Sequence, residues 1–197
     1  CNTIMTLFKM YQKAVQVFNK NGDLPLHIAL KRNASHDITA MLLEAYPQAT
    51  QVRNNKGNLP LHYACVNRAP VDIIRMILDA YRTAPEVQNN KGELPLHLAC
   101  ESEDSRNAIM VLLERCPAAA QVKDNHSNLP LHIASKYHAS PAIIKMLLEV
   151  YPKGAEMQNI HQVLPLHTAV ESNAPLDSVI MLLNAFPKAA EAHDNDG

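Results

Sequence analysis

The chain is poor in the residues on which catalytic and cofactor sites depend. Its 197 residues include only 5 glycines, too few for a glycine-rich phosphate cradle. No Walker-type loop and no Gly-x-Ser-x-Gly elbow occurs. The four cysteines show no Cys-x-x-Cys spacing, which removes the commonest zinc and redox motifs. Neither sign of charge prevails: 18 basic against 19 acidic residues give a net charge of -1, without the basic surplus that nucleic-acid recognition carries. No apolar run approaches the roughly 18 residues of a membrane span; the longest, Ala108 to Leu113, stops at Glu114. These absences argue against nucleic acid as a partner, against membrane insertion, and against any cofactor.

What the chain does have is a ladder. Leu-Pro-Leu-His begins at Leu24, Leu59, Leu94, Leu129 and Leu164, each copy 35 residues after the last. A fixed period of this size marks a solenoid, one supersecondary unit stacked on the next. Within one unit, Asn54-Asn55-Lys56-Gly57-Asn58 predicts a tight polar turn. Pro60 then starts a short helix, where its missing N–H costs nothing, and Ala64 and Cys65 are small enough for close helix approach. Asn67-Arg68-Ala69-Pro70 breaks that helix. A second begins near Pro70 with Asp72 in its favoured first turn, and Ile73, Ile74, Ile77, Leu78 and Tyr81 make its buried face.

The other units follow suit. Ser35, Ser105 and Ser140 are expected to cap the second helix, and Pro47, Pro117, Pro152 and Pro187 to end it. Tyr11, Tyr46, Tyr81, Tyr151 and Phe186 share one column, which reads as an aromatic spine stacked in the core. Five of the ten histidines belong to the ladder. Stacked helices lie roughly 8–10 Å apart, whereas ligands sharing a zinc ion at bonds of about 2 Å sit within roughly 4 Å of each other. The ladder histidines are therefore structural and bind no metal, and His126 and His161 read as solvated tip residues. The same spacing forbids a Cys65–Cys100 disulfide, so reduced, buried thiols of an intracellular protein, cytoplasmic or nuclear, are expected.

A Gly turn, an apolar residue, Pro-Leu-His and a small-residue helix together resemble the ankyrin repeat, over almost the whole chain. The resemblance implies an all-α solenoid of helix-turn-helix units joined by β-hairpin-like loops. Two departures stand out. The period is 35, where 33 is usual, and the two extra residues fall between the helices, at Asn33-Ala34-Ser35 and Arg68-Ala69-Pro70. Leu also stands where the family has a Thr whose hydroxyl bonds the motif His, so His27, His62, His97, His132 and His167 need backbone or water partners. The turn-Gly column, Gly22, Gly57 and Gly92, fails at Ser127 and Gln162, which predicts altered turns there.

The chain reads as one array over residues 1–197: a partial repeat at 1–18, repeats at 19–53, 54–88, 89–123, 124–158 and 159–193, and the start of another at 194–197. Ile4, Leu7, Phe8 and Tyr11 suggest a second helix at the front, and continuation in both directions is expected, the array being a monomeric part of a longer chain. The resemblance implies a non-catalytic protein-interaction scaffold whose partner, of unidentified kind, touches hairpin tips and the exposed end of each first helix. Carried over position by position, the candidates are Lys31 and Arg32; Arg53, Lys56 and Asn67; Lys91, Glu93 and Glu101; Lys123, His126, Lys136 and Tyr137; and Ile160, His161, Val163 and Glu171. Ile160 and Val163 are apolar residues at a tip. They either mark a contact or pack on the neighbouring hairpin, and with Tyr137 they place the expected centre of binding on the fourth and fifth repeats. Two other readings remain open: a permanent subunit of a larger complex, or the regulatory arm of an enzyme whose catalytic domain lies elsewhere.

Overall fold

The computed structural model describes Tyr11, residues 13–102 and residues 105–188. The expectations placed on Ile4, Leu7 and Phe8 and on the repeat start at 194–197 lie outside the described residues.

Five helix pairs follow one another. They are α1 (Pro25–Lys31) and α2 (His36–Ala45), α3 (Pro60–Val66) and α4 (Val71–Ala80), α5 (Pro95–Ala99) and α6 (Arg106–Arg115), α7 (Pro130–Lys136) and α8 (Pro141–Val150), and α9 (Pro165–Glu171) and α10 (Leu176–Ala185). First helices pack on first helices and second on second, giving two layers with every contact between near neighbours. No strand occurs among the described residues.

The ladder explains the first helix. Each Pro occupies the first helical position, and the Leu before it is the N-cap, at most 2% exposed in every copy. Leu has no oxygen with which to cap. The imidazole three residues on does part of that work: the N–H of Leu59 donates to His62 Nδ1 at 3.0 Å, and those of Leu24, Leu94, Leu129 and Leu164 donate to their own histidines at 3.1 to 3.4 Å. This is half of a capping box with His in the place of Glu.

The first helix ends in a Schellman turn. The N–H of Ala34, Ala69, Ala139 and Ala174 returns to the carbonyl of Ala29, Ala64, Ala134 and Ala169 at 2.8 to 3.0 Å. The residue before each, Asn33, Arg68, His138 or Asn173, has a positive φ. The two extra residues of the 35-residue period sit here.

The second helices bury the predicted face: Ile73, Ile74, Ile77 and Leu78 are at most 1% exposed. Three expectations need correcting. Of the three serines, only Ser35 caps, accepting from the Ile38 N–H at 3.4 Å. At Ser140 the backbone carbonyl itself takes the Ile143 N–H at 2.9 Å and the side chain makes no cap bond, and the Ser105 hydroxyl is buried with no partner among the described residues. Next, Pro47, Pro117 and Pro152 end the α-helix but open a 3-10 turn, Pro47–Gln51, Pro117–Gln121 and Pro152–Glu156. Finally, the aromatic column is no core spine. Tyr46, Tyr81, Tyr151 and Phe186 are half-buried at helix C-caps and no two of these rings touch. Cys65, Cys100 and Cys116 are buried, free thiols, and burial pushes the first two well above the usual thiol range.

Candidate partner-binding surface

The loops between repeats are built around one side chain. In the second hairpin, Asn54 Oδ1 accepts the N–H of Lys56 and of Asn58, each at 3.0 Å. Asn19, Asn89, Asp124 and Asn159 do the same in theirs. Such Asx turns hold a tight loop without a strand pair. The turn residue is left-handed throughout: φ is 73, 75 and 77° at Gly22, Gly57 and Gly92, and 59 and 61° at Ser127 and Gln162. The altered turns expected at Ser127 and Gln162 are therefore absent. The two non-glycine residues accept the strained conformation because the Asx bonds around them are unchanged.

Neighbouring hairpins are joined in register. One backbone bond crosses each junction: Asn55 N–H to Asn21, Asn90 to Lys56, Asn125 to Lys91 and Ile160 to His126, at 3.0 to 3.1 Å. The side-chain amides of Asn55, Asn90 and Asn125 add a second, to the carbonyls of Lys20, Asn55 and Asn90. A third rung comes from the histidines. Nε2 of His27, His62, His97 and His132 meets a carbonyl of the next hairpin, that of Asn58, Glu93, Asn128 and Val163, at 3.2 Å each. Because Nδ1 already accepts a backbone N–H, Nε2 carries the proton and donates. All four imidazoles are thus fixed in one neutral tautomer. Burial lowers their pKa, to about 4 in His62 and His132.

On this frame the candidate residues fall into groups. Lys31, Lys56, Lys91, Glu93 and Glu101 line one groove of about 460 Å³ across the first three repeats, over Tyr63, Val66 and Leu98. Lys31 Nζ stands 5.6 Å from the centre of the Tyr63 ring, and the Tyr63 hydroxyl accepts from Asn54 Nδ2 at 2.9 Å. The half-buried Glu101 carboxyl is pushed up by burial and then by the Glu93 charge, with Lys91 and Lys136 opposing.

Arg53 and Lys123 are stitches between hairpins: Arg53 Nη2 donates to the Gln88 carbonyl at 2.6 Å and Lys123 Nζ to that of Gln158 at 3.2 Å. Asn67 Nδ2 folds back on the Tyr63 carbonyl. Arg32, Lys136 and Glu171 are exposed at first-helix ends, and His126 and His161 at hairpin tips. Tyr137 is 39% exposed under Lys136, and Ile160 is 51% exposed, so Ile160 does not pack away on its neighbour. Val163 is half-buried.

Tyr63 and Leu98 are the residues that sequence reasoning missed. They follow the motif His directly and were not among the candidates carried over from the resemblance. The available signal was that the column holds Ile28, Tyr63, Leu98, Ile133 and Thr168, a variable set beside invariant neighbours. Among the described residues, no three His, Cys, Asp or Glu side chains are placed to hold a metal ion, and no helix is long and apolar enough to cross a membrane.

A two-layer helical stack of five similar pairs with a polar, variable loop edge defines a repeat solenoid. Two family models match, ankyrin repeats (3 copies) over residues 71–161 and ankyrin repeats (many copies) over residues 42–99, together more than half of the chain. The chain belongs to the ankyrin-repeat family, whose members are generally protein–protein interaction modules and typically non-catalytic. No curated protein matches it.

Proposed function

We propose that this array is a non-catalytic scaffold that binds a protein partner through its hairpin tips and the exposed ends of its first helices. One observation carries the reading. Residues that hold the repeat together are nearly identical from copy to copy, whereas those at the tips and helix ends differ and face outward. Lys31, Lys56, Lys91, Glu93 and Glu101 converge on the groove of the first three repeats, and Tyr137 and Ile160 continue the same edge as exposed apolar anchors. Tyr is favoured at binding hot spots.

Affinity capture followed by mass spectrometry tests this. A chain carrying Tyr137→Ser, Ile160→Ser and Val163→Ser should keep its thermal transition and recover less of the partner than the unaltered chain. Equal recovery would remove this edge from the interface.

A second reading is a permanent subunit of a larger assembly. It is favoured by α10 of the fifth repeat, where Leu176 and Ile180 are 72 and 44% exposed. Constitutive co-purification in size exclusion would support it, and a monomer would not.

A further inference from the structure

The groove across the first three repeats is charged in a particular order. Lys31 and Lys56 stand toward the first and second repeats; Glu93 and Glu101 belong to the third, where Lys91 offsets one of the two acids and leaves that end net negative. Between the two ends lies a firm apolar floor, with Tyr63 and Leu98 each 9% exposed. None of these five charged side chains is in a salt bridge among the described residues. Elsewhere the array pairs some of its charges, as in Arg115 with Asp79 at 2.7 Å. Two ends of opposite net charge held apart over an apolar floor complement a ligand with the inverse order.

We propose, resting on the scaffold reading above, that the partner segment bound here is extended and carries an acidic side chain, an apolar one and a basic one in that order along the stack. The acid lies against Lys31 and Lys56, the apolar residue on Tyr63, Val66 and Leu98, and the base against Glu93 and Glu101. The spacing follows from the fold. One repeat step of roughly 8–10 Å separates Lys56 from the glutamates and two steps separate Lys31 from them, so the charged ends lie roughly 8–20 Å apart, and an extended chain rises about 3.3 Å per residue. Acid and base are therefore about three to six residues apart, with the apolar residue between them.

Selection of displayed random dodecapeptides on the 197-residue chain tests the proposal. The enriched pool should carry one acidic and one basic residue at that separation, about tenfold more often than the starting library. On K31E/K56E the acidic position should turn basic. On E93Q/E101Q, which keeps the side-chain shapes, the basic preference should fade. Circular dichroism confirms that each variant is folded, and the glutamine pair alone decides if the lysine pair is not. A pool without charge order, the same pool on all variants, or no enrichment overturns the proposal. A pool insensitive to these variants but lost on the Tyr137, Ile160 and Val163 variant would sink this inference and leave the scaffold reading standing; insensitivity to both sets would sink both.

Discussion

The first three repeats and the last two turn their hairpins through the same backbone conformation with different side chains. Gly22, Gly57 and Gly92 turn the early hairpins, and Ser127 and Gln162 turn the later ones at nearly the same φ. Asn55, Asn90 and Asn125 bond back to the preceding hairpin, and Ile160 in the same column leaves half its surface in solvent. In this stack the fold is specified redundantly, by Asx residues, backbone rungs and histidines together, so any one of them can be relinquished locally. The residues so released are those that face outward.

The histidines differ by their place in the stack. His62, with a following hairpin, is 0% exposed and bonded at both ring nitrogens, whereas His167, in the last described repeat with no described hairpin after it, is half-buried and bonded at Nδ1 to the Leu164 N–H at 3.4 Å. His62→Ala should cost about 3 kcal/mol, through a buried N–H and a carbonyl left without partners plus a cavity. His167→Ala should cost less than about 1 kcal/mol by the same reasoning. Urea unfolding of the two variants measures the gap, and equal losses would refute the redundancy argument.

Acid should act on the same contrast. The folded-state pKa values of His27, His62, His97 and His132 lie below the ordinary 6.5, chiefly through burial. The fold therefore favours the neutral ring. Its contribution is complete above pH 6.5 and is lost as pH falls toward about 4, where His62 and His132 take up protons. Denaturant midpoints should hold between about pH 7.5 and 6.5 and fall from there to about pH 4.5. His62→Ala should flatten that fall.

The turns offer a smaller test. A Cβ at Gly57 would collide with the amide of Asn90 in a backbone conformation L-residues resist, so Gly57→Ala should cost about 1–2 kcal/mol. Ser127→Gly should gain up to about 1 kcal/mol by the same argument. Opposite signs in calorimetry would confirm that one geometry is merely tolerated where the other is favoured. Smallest of all, Ile160→Asn should restore the rung to the fourth hairpin for about 0.5 kcal/mol, while weakening any contact made through Ile160.

The period, the Pro-started helices and the buried Ile73, Ile74, Ile77 and Leu78 were legible because proline geometry and helical spacing are local properties. The Asx column at Asn19, Asn54, Asn89, Asp124 and Asn159 was equally visible but was absorbed into a generic polar turn. The left-handed φ of Ser127 and Gln162 was not legible, since nothing in those residues favours it and the surrounding bonds impose it. The groove escaped too. It arises where Lys31, Tyr63 and Glu101, drawn from three repeats, reach one space, and a column-by-column reading treats each repeat alone.

The imidazole rungs also give the stack a polarity. In the four described junctions each ring accepts a hydrogen bond from its own repeat's Leu N–H and donates its Nε2–H to the following hairpin. The imidazole rung is thus donated forward and the backbone rung backward, at different sites of the same junction. Pieces severed between repeats could rejoin head to tail and in no other order, and a transplanted unit would be accepted at either end only if it kept that direction.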